Sequence, residues 1–239
     1  MKLLDLSYPS PQMNLACDEV LLELCEGGYD TEILRFWESP VYFAVLGYSN
    51  KVKAEVHLDY CQRENIPVLR RASGGGTVLQ GPGCLNYALI LDMKRRRPIK
   101  SVSSTYEYVL GKHKSALQQL TDKPCDTRGI SDLAIEGMKF SGNAQRRKKR
   151  YVLFHGTLLL NSNLDTIQDS LHIPEKKPAY RKNRSHKNFL MNLKLDRDSV
   201  KKSLIKEWRA QSSFLPVPQD KIEALAVNKY SDRGWNYKF

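Results

Sequence analysis

Three observations predict an α+β fold built on a mixed, largely antiparallel sheet. β-rich runs cluster between residues 32 and 160. A helical stretch precedes them at 13–26, and others interrupt them at 53–65 and 102–121. A glycine-rich loop at 70–78 has a strand on either side. No repeat period is visible, which excludes solenoids and propellers.

Residues 13–26 (MNLACDEVLLELCE) space Leu15, Val20, Leu21 and Leu24 at helical intervals with acids between them. Asn14 is the expected cap, and Gly27-Gly28 the stop. EILRFW (32–37) and VYFAVLGY (41–48) are β-rich, and the ESP between them predicts a hairpin. IPVLRR (66–71) leads into the glycine-rich loop, and CLNYALILDM (84–93) leaves it. The helix over 102–121 aligns Val102, Tyr106, Val109, Leu110, His113 and Leu117 along one side. DLAIEGMKFSGNAQ (132–145) reads as two strands about a turn at Glu136-Gly137. A basic turn, RRKKR (146–150), then joins YVLFHGTLLL (151–160). From 173 to 209 the chain carries twelve Lys or Arg against four acids, over a basic connection and a helix at 198–209. The expected organisation is one domain over 1–213, with 214–239 packed on it as a linker, a short helix and an aromatic tail.

The chain has 239 residues, 38 Lys and Arg against 26 Asp and Glu, and a net charge of +12. Such a balance suits an acidic or polyanionic partner, or simply a solvated basic surface. The five cysteines (17, 25, 61, 84, 125) contain no CxxC pair, which argues for reduced thiols and against disulfides or zinc. No apolar run reaches the roughly 18–20 residues that span a bilayer. Asp5 interrupts the only apolar run near the N-terminus, so no signal peptide is expected, and a cytoplasmic location follows.

Three local features carry chemistry. In Arg70-Arg71-Ala72-Ser73-Gly74-Gly75-Gly76-Thr77-Val78, three consecutive glycines cost chain entropy and expose backbone N–H groups to an anion or a flat ligand. The spacing is neither a P-loop nor GxGxxG. On the glycines alone, a flexible turn is the simpler account. In Gly137-Met138-Lys139-Phe140-Ser141-Gly142-Asn143-Ala144-Gln145, Lys139 and Ser141 share a strand face. A half-buried ammonium there needs an anionic partner such as phosphate; an exposed edge lysine is the alternative. In Phe154-His155-Gly156-Thr157, the glycine lets a ligand approach the backbone. A lone His155 would otherwise read as a core residue.

Taken together, these stretches resemble the lipoate–protein ligase branch of the biotin/lipoate ligase superfamily. NLACDEVLL (14–22), LRFWESPVYFAVLG (34–47), RSHKNFLMNL (184–193) and NKYSDRGWNY (228–237) extend the resemblance to nearly the whole chain. It implies an enzyme that activates lipoate or octanoate with ATP and Mg2+ to an acyl-adenylate. The acyl group then passes to a lysine of a lipoyl carrier domain, such as a 2-oxoacid dehydrogenase E2 subunit or a glycine-cleavage H-like protein. Lys139 matches the family's reactive-centre lysine. Arg71, Ser73, Gly74, Gly75 and Gly76 would hold the acyl chain and mixed anhydride. Thr77, Val78 and Asn86 fall where the family contacts nucleotide, and Asp132 matches an acid near the adenine. Trp37, His155, Gly156 and Thr157 would line the acyl pocket, with Ser141, Gly142 and Ala144 beside it.

Two departures matter. Gln80 stands where many relatives carry histidine, and the sequence ends where many continue into an accessory domain, so a separate accessory chain is an expected partner. Cys125 lies near the position where one octanoyltransferase branch carries its nucleophile, so ATP-independent thioester transfer is the alternative. Biotin ligation fits less well, because that branch places an arginine within its glycine loop. Nucleic-acid binding is a weaker alternative again, since the basic stretches lack interleaved aromatics.

Overall fold

The computed structural model describes residues 1–239. Eleven strands form two sheets: β1 (Lys2–Asp5), β2 (Ile33–Trp37), β3 (Phe43–Leu46), β4 (Val68–Arg70), β5 (Val78–Gln80), β6 (Cys84–Asp92), β7 (Cys125–Arg128), β8 (Asp132–Ile135), β9 (Met138–Arg147), β10 (Tyr151–Leu159) and β11 (Ser212–Ser213). The large sheet runs β11-β1-β2-β6-β10-β9-β8-β7. It is antiparallel except where β1 pairs parallel with β2 and β11. The small sheet runs β4-β3-β5. This is the predicted mixed, largely antiparallel fold, with the second small sheet lying beside the cleft.

The helices are α1 (Pro11–Glu26), α2 (Val52–Glu55), α3 (Leu58–Arg63), α4 (Val102–Gln118), α5 (Leu164–Ser170), α6 (His186–Phe189), α7 (Arg197–Trp208), α8 (Gln219–Leu225) and α9 (Arg233–Asn236). Ser10 caps α1, with its side chain accepting from the Met13 N–H, and Gly27 ends the helix. Asn14, expected as the cap, is instead buried in the first turn, where its amide serves Tyr8 and Arg35.

Alternation along the central strands divides the core between the sheet's two faces. Leu85, Leu89 and Leu91 of β6 and Val152, Phe154 and Leu158 of β10 pack against α4 and α7. Ala88, Ile90, Tyr151 and Leu153 face α1 and the C-terminal residues Phe214, Ile222, Ala226 and Tyr230. Residues 214–239 thus contribute to the same apolar layer as α1. Val102, placed by periodicity on the apolar side of α4, is exposed at the helix start.

The expected hairpin over 32–48 does not form. β2 joins the large sheet beside β6, whereas β3 joins the small sheet between β4 and β5. The Glu38-Ser39-Pro40 corner passes the chain from one sheet to the other, and both strands are wholly buried. β5, β7 and α5 were not expected from the sequence: β5 and β7 are only three and four residues long, and α5 lies past the strand read at 151–160, where the sequence assigned no element.

Candidate active site

Strand register builds the floor of the site. Cross-strand pairing aligns Arg35, Ala88, His155 and Ala144 in one row across β2, β6, β10 and β9. The next row is Trp37, Asn86, Thr157, Gly142 and Asp132. The rows are two residues apart along each strand, about 7 Å. A cleft of about 780 Å³ opens over them.

The glycine-rich loop stands over the first row. Gly75 has φ +89°, and a Cβ there would come within 2.9 Å of Arg71 Nη2 and 3.3 Å of Ala144 Cβ. Gly74 and Gly76 face open space instead. The loop is held from inside by Arg71, which donates to the Gly74 carbonyl (2.7 and 3.1 Å), the Gly76 carbonyl (2.7 Å) and Ser73 Oγ (3.0 Å). Burial pulls its guanidinium down to about 10, because it has no carboxylate partner. Arg70 does not reach the cleft. It is wholly buried and donates to carbonyls of Gly47, Tyr48, Asn50, Trp235 and Asn236, tying the C-terminal tail to β4. Of the two adjacent arginines, only Arg71 borders the cleft, and Arg70 is scaffold.

Ser73 Oγ lies 2.6 Å from His155 Nε2, and His155 Nδ1 is 3.4 Å from Asp18 Oδ2. Asp18 also receives Arg35 Nη1 at 2.5 Å. Burial alone would raise the Asp18 carboxyl; Arg35 and His155 outweigh it and hold it below the usual range. His155 is therefore neither a satisfied core residue nor a free one: it joins the loop to a buried ion pair between α1 and the sheet.

Lys139 stands over the second row. A Cβ on Gly142 would be 2.9 Å from Lys139 Nζ, so the glycine clears the path of the ammonium. Nζ pairs with Asp132 Oδ1 at 2.8 Å, and Tyr180 O–H donates to Asp132 Oδ2 at 2.8 Å. Gln80 Nε2 donates to Thr157 Oγ1 (2.6 Å), which donates to Asn86 Oδ1 (2.7 Å). Gly156 lets Tyr87 O–H reach Asn143 Oδ1, since a Cβ there would lie 1.8 Å from that oxygen.

The cleft is lined by Arg71, Gly76, Thr77, Val78 and Gln80 on the loop side and by Trp37 at the end of β2. Asn86, Asp132, Lys139, Ser141, Gly142, Ala144, His155, Gly156 and Thr157 line it from the sheet. Ser73, Gly74 and Gly75 form the loop behind this surface. Cys125 does not join them. It is fully buried in the apolar layer under α4, 3.5 Å from Thr121 Oγ1, and burial pushes its thiol up.

Sequence reasoning missed the roof. Residues 172–185 form a strap over the cleft, which Pro174, Lys176, Lys177 and Arg181 help to line. Its start is anchored by His57 N–H to the Ser170 carbonyl and His172 N–H to the Glu55 carbonyl. Past its end, Met191 N–H donates to the Lys139 carbonyl. Asp18 and Arg35 were missed as well. The available signal was a charge at a position where α1 and β2 are otherwise apolar.

The model of the lipoyl protein ligase A/B catalytic domain matches residues 10–209. The chain belongs to that family, and it is an enzyme of the lipoate ligase and octanoyltransferase group. A probable lipoate-protein ligase A of Mycoplasma pneumoniae is 30% identical over 184 residues, 77% of this chain and 52% of that protein. This chain thus spans about half the length of that relative. The octanoyltransferase LipM of Halalkalibacterium halodurans is 25% identical, over 99% of this chain and 98% of that one. A solved chain from the Thermoplasma acidophilum lipoylation system, a bi-partite lipoate protein ligase and its E2 lipoyl domain, has a TM-score of 0.82. It is 25% identical, with 99% of this chain and 95% of that chain covered.

Proposed function

We propose that the chain is an ATP-dependent lipoate–protein ligase that forms lipoyl- or octanoyl-AMP and transfers the acyl group to a lysine of a lipoyl domain. The observation that carries this reading is the placement of the Lys139 ammonium about one row from a bare glycine bend, in a cleft whose cations exceed its acids. Arg71, Lys139, Lys176, Lys177 and Arg181 face Asp18, Asp132 and Glu175, and Asp18 is already neutralised by Arg35. Such a balance suits a phosphate chain.

In the first half-reaction, the acyl carboxylate attacks the α-phosphate and pyrophosphate departs. Two anions must approach, and charge builds on phosphate oxygens. Lys139 can exchange Asp132 for those oxygens, and the backbone around Gly74 and Gly76 leaves room for the mixed anhydride. In the second half-reaction, the acceptor amine attacks the acyl carbon and AMP leaves, and Lys139 stabilises the departing phosphate. Trp37, Val78, Ala144 and Leu15 offer apolar wall to an alkyl chain. No group of three His, Cys, Asp or Glu side chains converges to hold a metal. Mg2+ brought with ATP would be held mostly by phosphate oxygens and water. No helix is long and apolar enough to cross a membrane; a cytoplasmic site of action, and help from a separate accessory chain, are parts of this proposal.

The LipM relatives, aligned over almost their full length, favour a second reading, acyl transfer through a cysteine thioester without ATP. The geometry gives it less support, because all five thiols are buried and none lines the cleft. Pure protein incubated with ATP and lipoate or octanoate should yield acyl-AMP, and added lipoyl domain should become acylated. Cys125→Ser should leave both steps intact. Acylation from octanoyl carrier protein without ATP, lost in Cys125→Ser, would replace the ligase reading with the transferase.

A further inference from the structure

The adenylation proposed above needs a second fixed cation. As the carboxylate oxygen bonds to the α-phosphorus, the bond from that phosphorus to the bridging oxygen breaks. The electron pair leaves with pyrophosphate, whose charge must be met where it departs. Lys139 is committed to the α-phosphate side. The donors of Arg71 are held by loop carbonyls and Ser73. Lys176 and Lys177 are exposed on the strap. Arg181 remains.

Arg181 is 4% exposed, in the single helical turn Ala179–Arg181 of the strap. Its Nε donates to the Arg184 carbonyl at 3.2 Å, and its guanidinium centre lies 4.7 Å from the Phe189 ring centroid. Those contacts fix the plane of the group. Nη2 is buried without any partner, and the side chain borders the cleft. The neighbouring Tyr180 holds Asp132, whose other oxygen holds Lys139, so one carboxylate links the residue beside Arg181 to the ammonium. Burial lowers the Arg181 pKa, as expected for a cation that lacks an anion. A buried guanidinium with an idle donor is a costly arrangement unless an anion completes it.

We infer that Arg181 binds the phosphate oxygens that leave as pyrophosphate, and that it serves adenylation but not acyl transfer. This rests on the ligase reading for its role in the reaction, while the anion site itself does not. Each strap lysine can add a flexible, solvated charge beside it, but only Arg181 offers a preset fork.

The test uses three measurements on wild type, Arg181→Met and Arg181→Lys. The first is calorimetric binding of inorganic pyrophosphate alone. The second is pyrophosphate release with ATP and lipoate. The third is transfer from synthetic lipoyl-AMP to a lipoyl domain. Arg181→Met should weaken pyrophosphate binding and lower kcat/KM for ATP by about 10- to 100-fold, the loss of one charged hydrogen-bonding group. Transfer from lipoyl-AMP should stay within about twofold of wild type, because no pyrophosphate is formed in that step. Arg181→Lys should recover part of the loss. Unchanged pyrophosphate binding in Arg181→Met, no binding by wild type, or equal loss in both half-reactions would overturn the inference; the last would mark a strap that merely collapsed. Pyrophosphate binding that depends on Arg181, in a protein that makes no acyl-AMP, would keep the anion site and sink the ligase reading.

Discussion

Arg35 and Lys139 each face an aspartate along the same cleft, and the two pairs differ in how completely they are held. Arg35 is fully buried and donates to Asp18, the Asn14 carbonyl, Asn14 Oδ1 and the Leu6 carbonyl. Its partner, 2% exposed, also faces His155. Lys139 has one ionic partner, Asp132, and its side chain keeps 24% of its surface in the cleft. A pair fixed by five donors and acceptors cannot exchange partners without unfolding its surroundings. A pair held by one contact at a cleft surface can trade a carboxylate for a phosphate at little cost. The first pair is scaffold beneath the site; the second is available for chemistry.

Breaking the scaffold pair should produce the largest effect. Asp18→Ala leaves the Arg35 guanidinium buried without its counter-charge and should cost about 3–5 kcal/mol of unfolding free energy. Denaturant unfolding measures this. A loss below 1 kcal/mol would mean that Asn14 and the carbonyls suffice for Arg35, and the contrast between the pairs would fail. The pH dependence has a definite sign. The folded-state pKa of Asp18 is depressed, so its contribution is fully present above the unfolded value, near 4, and is lost as pH falls through the lower folded value. Wild type should lose stability below about pH 4 more steeply than Asp18→Asn.

Breaking the exchangeable pair should do the reverse. Lys139→Ala should lower the rate of acyl-AMP formation and of transfer by about 10²–10³-fold, the range found when one preorganised donor is removed from an electrostatic site. Asp132 keeps the Tyr180 hydrogen bond, so stability should fall by no more than about 1–3 kcal/mol. Single-turnover kinetics beside a thermal melt separates the two. A large fall in Tm with normal activity per folded molecule would show that Lys139 belongs with Arg35 as scaffold.

The same contrast explains what the sequence revealed. Loop, lysine strand and histidine strand were legible because each breaks a local rule: three glycines in a row, a charge on an alternating strand, a histidine and a glycine in an apolar run. Register then does what no local pattern encodes, placing Trp37, Asn86, Thr157, Gly142 and Asp132 in line from five strands. The hairpin over 32–48 was misread because short-range turn signals cannot tell two paired strands from two strands that diverge into separate sheets. The strap looked like a charged connection because its order comes from single long-range bonds, such as Tyr180 to Asp132, which leave no period. Arg70 and Arg71 look alike in sequence, and only the carbonyls around each one tell the clamp of the tail from the clamp of the loop.

The basic turn at 146–150 gives the smallest expected effect and sharpens the contrast on the protein's surface. A basic turn of this kind is either a solvated hairpin or a docking face for an acidic lipoyl domain. In the fold, most of its charge is already used. Arg146 pairs with Glu19, Lys148 with Glu23, and Arg150 with Asp92 and Asp30, while Arg147 donates to carbonyls of Ile99, Lys100 and Ser101. Only Lys149 is exposed and without an ion pair. Long-range steering depends on unneutralised charge and fades with ionic strength. Lys149→Ala should therefore change kcat/KM for a lipoyl domain by less than about twofold in low salt, one screened surface charge being worth little. Charge reversal of the strap at Lys176 and Lys177 should flatten the salt dependence of transfer more than Lys149→Ala does. A salt slope abolished by Lys149→Ala would return acceptor docking to the turn, and would show that pairing within the fold does not silence these cations toward a partner.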